Sequence, residues 1–301
     1  MVDAGDLLFK KYSGPVSENE LKMATQKGHL IIEALNLMGY DALGIGDDDL
    51  TLGKEFLVEL SKKAKFPFLS SNLFDETSGK PLFQPYLIKE INGLKVGIFS
   101  LLSPDFIPGS TDPRRKGLAI RPPAETVPQM VKELQPRTDL ILLLSHLGYI
   151  PDVELARKTF GIHIILGSHS PPMNLVNPQI IKDTLLLQTA SKGMYVGRID
   201  LTFTQKESGF YSVTTKRSLE TNLTNLKNRL NSPGLAEAER TQIQRSREQA
   251  EKTLGELQGK NPFTNAILPL NDLIKDHPDI QKLVDEYKSK YPEPVKPVPP
   301  K

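Results

Sequence analysis

Four residues stand where apolar runs give way to small and polar ones: Asp6 after VDAG, Asp47 after ALGIG, His146 after LILLLS and His169 after IILGS. Two carboxylates and two imidazoles form a donor set suited to Zn²⁺, Mn²⁺ or Fe²⁺. Each residue alone has a plainer reading. An Asp after an apolar run is commonly a turn or cap residue, and a lone His is commonly just hydrogen-bonded. The joint pattern carries the inference, because the chain has five histidines and two of them end apolar runs. His29 in a helical pattern, His163 at a strand start and His277 before Pro278 carry none of this. Arg114-Arg115-Lys116 reads as a solvated loop in preference to a phosphate contact, and Ser100 and Ser103 have no base nearby for a serine-hydrolase triad.

The elements that must hold the four residues follow from the pattern around them. LILLLS is continuously apolar, as expected of a parallel strand buried on both faces. In open α/β sheets ligands bind beyond the carboxyl ends of the strands, which is where all four residues fall. Gly5, Gly46, Gly148 and Gly167 adjoin them and permit close backbone approach. Helices are expected over 18–38, 52–64, 122–134 and near 151–160, the first carrying Leu21, Ala24, Ile32 and Leu35 and stopped by Gly39. Asn92-Gly93 between 86–91 and 94–101 predicts a hairpin. Antiparallel strands are expected near 184–190, 194–204 and 210–216. The alternation gives a mixed-sheet α/β sandwich.

From Leu219 the pattern changes. Leu219, Leu223, Leu226 and Leu230 make one helical seam, Ile243, Ala250, Leu254 and Leu257 a second, and Ser232-Pro233-Gly234 breaks between them. The expected organisation is a main domain over 1–217, incomplete at its start, a helical hairpin over 218–260, and a short helix with a Pro-rich linker tail over 261–301. With 38% hydrophobic and 25% charged residues, the 301-residue chain can build a large core. Its net charge of +2 gives no support for nucleic-acid binding, and no apolar run approaches a membrane span. The absence of cysteine excludes disulfides, thiolate ligands and cysteine nucleophiles, and no signal-peptide pattern follows Met1.

The segments VDAGDLL, GIGDDDLTLG, KFPFLSSNLFDETSGKPLFQPY, LLLSHLG, ILGSHS and KGMYVGRIDLTF, in this order, resemble the N-terminal domain of bacterial 5′-nucleotidases, a branch of the calcineurin-like metallophosphoesterases. The resemblance covers residues 1 to about 205 and implies a four-layer αββα sandwich with a two-metal centre that hydrolyses phosphate esters. It implies that Asp6 is the aspartate bridging both metals, that Asp47 replaces a metal-binding asparagine, and that His146 and His169 complete that metal's shell. Asp48 falls at the position of the catalytic histidine, whose acidic partner aligns with Thr51, and Pro171 falls at a ligand position of the second metal. The Asp-x-His motif that opens the family fold has no counterpart in this sequence, whose start is expected to be truncated. The resemblance further implies an exported, periplasmic protein with one divalent-cation site kept and the second damaged. Two functions stay open at this point. One is an impaired phosphomonoesterase acting on a small phosphate ester. The other is a non-catalytic metal- or phosphate-binding scaffold, joined to a partner or downstream domain through its C-terminal helices and tail.

Overall fold

Short apolar runs bounded by glycine and proline set the strands, and stripes at helical spacing set the helices. The computed structural model describes residues 1–12, 16–109, 111–169, 177–189, 193–206 and 208–292. The chain opens with β1 (Val2–Asp3), α1 (Glu18–Met38), β2 (Ala42–Gly44), α2 (Lys54–Lys63), β3 (Phe68–Leu69) and β4 (Leu73–Asp75). It continues with β5 (Tyr86–Ile91), β6 (Leu94–Leu102), β7 (Leu118–Ile120), α3 (Pro123–Leu134), β8 (Leu140–His146), α4 (Tyr149–Lys158) and β9 (Ile164–Gly167). The last third holds β10 (Gln179–Ile181), β11 (Thr184–Gln188), β12 (Tyr195–Leu201), β13 (Phe210–Ser212), α5 (Val213–Leu230), α6 (Glu237–Gly255), β14 (Asn261–Pro269) and α7 (Pro278–Lys290).

Two sheets face each other. The smaller is all parallel, in the order β1-β2-β3. The larger has the order β10-β11-β9-β8-β6-β5, parallel through its centre and antiparallel at both edges. Strand side chains alternate between faces, so Leu144 joins Ala4, Ala42, Leu69 and Ile98 between the sheets. Its neighbour Leu143 points the other way, to Val127, Val131, Leu134 and Ala156 of α3 and α4. On the opposite side, Ile32, Leu35, Leu57 and Leu60 of α1 and α2 pack on Leu43 and Ile45. The expected αββα sandwich with mixed sheets is therefore the fold, and the continuous apolarity of LILLLS comes from being covered on both faces.

Local rules explain the element ends. Ser17 and Glu20 form a capping box at the start of α1, and Gly39 closes that helix at φ 69°. Asn92 and Gly93 both have positive φ, 50° and 81°, as the two-residue turn between β5 and β6 requires.

The pairing of the late strands corrects the sequence expectation. β11 runs parallel to β9 and β12 pairs with β14 rather than with β11. The strand expected over 210–216 ends at Ser212, whose side chain caps α5 by accepting from the Thr215 amide. Residues 261–269, expected to belong to a helix and linker, form the central strand of a third sheet, β12-β14-β13. Phe263 and Phe210 from this sheet pack against Leu140, Ile164 and Leu185 at the end of the main one. The helical hairpin α5–α6 and the helix over 278–290 are present, and Tyr287 of α7 donates to the Met23 carbonyl of α1. Pro171 and the tail from Glu293 lie outside the described residues. Among the described residues, no helix is long and apolar enough to cross a membrane.

Candidate metal centre

The two sheets deliver different chemistry to one edge. β1 and β2 run parallel, so their carboxyl ends release Asp6 and Asp47 side by side. β8 and β9 do the same for His146 and His169. Carboxylates thus come from the small sheet and imidazoles from the large one. Their convergence depends on glycine: a Cβ on Gly46 would lie 2.3 Å from Asp6 Oδ1 and 2.7 Å from His146 Cε1. Asp6 and His169 themselves adopt φ of 61° and 60°. That left-handed backbone costs a non-glycine residue on the order of 1 kcal/mol, and here it falls on two of the four residues at the centre.

One donor atom each from Asp47, His146 and His169 lies within 4.8 Å of the others. His146 Nε2 is 3.1 Å from Asp47 Oδ1 and 3.2 Å from Asp6 Oδ2, and His169 Nε2 is 3.9 Å from Asp47 Oδ1. The structure thus brings together all four residues singled out from the sequence. His146 is fully buried, and its Nδ1 lies 3.0 Å from the Ala4 carbonyl oxygen, which can only accept. Nδ1 therefore carries hydrogen, and Nε2 of a neutral ring aims a lone pair at two carboxylates. Such a cluster of electron pairs needs a positive charge at its centre, either a proton or a metal. With a proton, burial pulls His146 down, but the hydrogen bonds it donates to Asp47 and Asp6 prevail and lift it to about 10. Burial, then the charge of a protonated His146, hold His169 below its ordinary value. The donor set fits a divalent cation.

Several residues of the centre were not singled out from the sequence. Phe106 stacks on His169, ring centroids 3.5 Å apart and planes 20° from parallel. Asp49 is fully buried and accepts from the amides of Asp6, Leu8 and Gly46, each at 2.9 Å, so it ties the two strand-end loops together. Burial, then the charge of Asp6, push Asp49 up to about 7. The GDDD run flagged acidity but not which Asp turns inward.

The expectation of a solvated loop at Arg114 is overturned. Its guanidinium is 5% exposed, with Nη1 2.5 Å from Asp47 Oδ2 and 3.2 Å from Asp48 Oδ1. The side chain turns inward because Asp112 caps the Pro113–Arg115 turn, accepting from the Arg114 amide at 3.0 Å. Asp112-Pro113 was the available clue, being a turn-initiating dipeptide. Burial works to raise Asp47, but His146 and Arg114 outweigh it and hold the carboxyl below its usual range. Asp48 is half-buried at the rim, where burial, then Asp6 and Asp47, push it up against the pull of Arg114.

No family model matches the chain. It is 28% identical over 225 residues to a 5′-nucleotidase of Vibrio cholerae, covering 63% of this chain and 41% of that protein. It is 31% identical over 178 residues to the metallophosphoesterase YunD of Bacillus subtilis, covering 58% of this chain and 37% of that one. Among solved structures, a 5′-nucleotidase precursor from Thermus thermophilus superposes with a TM-score of 0.63 at 22% identity, over 96% of this chain and 49% of that one. The chain spans about two-fifths of the length of these curated relatives. Its homologues are thus 5′-nucleotidases and metallophosphoesterases, and its fold is that of the N-terminal metallophosphoesterase domain of 5′-nucleotidases.

Proposed function

We propose that this homologue of the 5′-nucleotidases is a metal-dependent phosphoric ester hydrolase with a weakened acid step. Asp47, His146 and His169 would hold one divalent cation, Zn²⁺, Mn²⁺ or Fe²⁺, with Asp6 alongside. The observation that supports it is the approach of His146 Nε2 to within 3.2 Å of both Asp47 and Asp6. A cation there supplies Lewis-acid charge to a phosphoryl group and lowers the pKa of water. The chain's own residues do the rest. The Ala4 carbonyl fixes the His146 tautomer, Phe106 fixes the plane of His169, and Asp49 fixes the two loops. Asp48, at the family's catalytic-histidine position and paired with Arg114 at 3.2 Å, offers a leaving group no strong proton donor. The substrate is a small phosphate ester, and the site of action lies outside the cytoplasm, by resemblance to the 5′-nucleotidases.

The Asp48–Arg114 pair also favours a second reading, in which the centre binds metal and phosphate without turnover. Hydrolysis of a generic aryl phosphate and of AMP, with added Mn²⁺ or Zn²⁺, separates the two. Slow, cation-dependent release of phosphate that disappears in Asp6→Ala and His169→Ala supports the hydrolase, and Asp48→His should raise kcat by roughly tenfold or more. Cation binding with no turnover in the wild type overturns it.

A further inference from the structure

Arg114 sits in the centre without facing a substrate. Each of its five N–H groups has a protein acceptor. Nη1 serves Asp47 Oδ2 and Asp48 Oδ1, Nη2 serves the Phe106 carbonyl and Asp112 Oδ2, and Nε serves Asp112 Oδ1. No donor is left to grip a phosphate, so any effect on one must pass through the groups Arg114 holds.

Those groups are the ones a cation and an anion would both meet. Asp47 has its two oxygens divided, Oδ2 on Arg114 and Oδ1 toward the two imidazoles. The Phe106 carbonyl is pinned by the same guanidinium, and the Phe106 ring lies on His169. Charge adds a second argument. Asp6, Asp47 and Asp48 place three carboxylates around the cation position, and imidazoles bind a metal as neutral rings. A divalent cation leaves one negative charge in excess, and an anion is repelled from such a site. The guanidinium cancels that excess at the edge where Asp47 and Asp48 lie. Asp112 takes the opposite edge of the fork and has the charge of Lys11 near it.

We propose that Arg114 is a positioning residue that sets the charge of the centre. It holds Asp47 Oδ2 and makes the loaded site neutral enough to admit a phosphate group. This rests on the cation-centre reading above. The balance has opposite consequences for the two ligands, which a purely structural role does not.

The test is calorimetric titration of the full chain, first with Mn²⁺ and then with inorganic phosphate. It compares the wild type with Arg114→Gln, Arg114→Lys and the double variant Asp47→Asn/Arg114→Gln. Removing the guanidinium takes a positive charge from beside the ion, so Arg114→Gln should bind Mn²⁺ several-fold tighter. Its Mn²⁺-loaded form should bind phosphate roughly tenfold more weakly. Arg114→Lys keeps the charge and should hold phosphate affinity within about threefold, and the double variant, which removes one charge of each sign, should bind phosphate more tightly than Arg114→Gln does. Weaker Mn²⁺ binding in Arg114→Gln without recovery in the double variant is the mark of a structural role and overturns the proposal. Unchanged phosphate affinity in Arg114→Gln overturns it too. If Arg114→Gln does not fold, the lysine and double variants decide by the same criteria. A wild type that binds no Mn²⁺ removes the cation centre itself, whereas one that binds Mn²⁺ but no phosphate defeats the role of Arg114 alone.

Discussion

His169 combines a left-handed backbone, an imidazole aimed at Asp47 and a stacked phenyl ring. A strained residue persists where its surroundings over-determine it, and the strain is released when the side chain is given up to glycine. His169→Gly and His169→Ala should both lose cation affinity, but the glycine variant should be about 1 kcal/mol more stable than the alanine variant in urea denaturation. Equal stabilities would mean that the backbone at 169 stores no strain. The four residues at the centre were legible in sequence because each ends an apolar strand beside glycine. Arg114 was not, since a charged triplet in a loop is usually solvated. What the guanidinium meets, once the Asp112-capped turn aims it inward, is a pair of carboxylates 66 and 67 positions away in the chain. Asp49 was hidden differently: three consecutive aspartates share one composition, and only the tight turn after Asp47 sends the third inward.

At the scale of elements, α4 is docked on β8 by a buried polar contact. Ser145 Oγ on the strand donates to Asp152 Oδ1 in the first turn of the helix, and Asp152 Oδ2 has no partner among the described residues. Burial, only partly offset by Ser145 and the charge of His146, pushes Asp152 up to about 7. The sign follows from linkage: the folded protein prefers the neutral acid more than the unfolded chain does. This contribution to stability is therefore full below about pH 4 and lost as pH rises through about 7. Asp152→Asn should flatten the fall in Tm between pH 5 and pH 8, and an unchanged slope would mean that Asp152 does not titrate there. Helices and central strands were legible because their periodicity is strong. The failures were strands whose pairing is decided far away. Residues 261–269 carry Pro262 and Pro269, which argue against a strand, yet Pro262 sits at its start and Pro269 at its end. β12 was expected within a run of antiparallel strands, and its partner arrives some sixty residues later.

On the scale of the whole molecule, the centre exists because two sheets pack face to face. Ala4 and Ala42 from one sheet meet Leu144 and Ile98 from the other, and these small and branched side chains bring the strand ends together at one edge. The bond from His146 Nδ1 to the Ala4 carbonyl crosses between the sheets and links packing directly to tautomer. The layered architecture was legible from the alternation of strands and helices; the third sheet was not, because it needs a strand from beyond the helical hairpin. Zn²⁺ titration of the full chain by calorimetry, with His146→Ala beside the wild type, tests the centre most directly. One ion per chain in the wild type is expected, with affinity reduced by roughly a hundredfold or more in His146→Ala. No Zn²⁺ binding in the wild type, or binding that His146→Ala leaves unchanged, would contradict a cation centre at this edge.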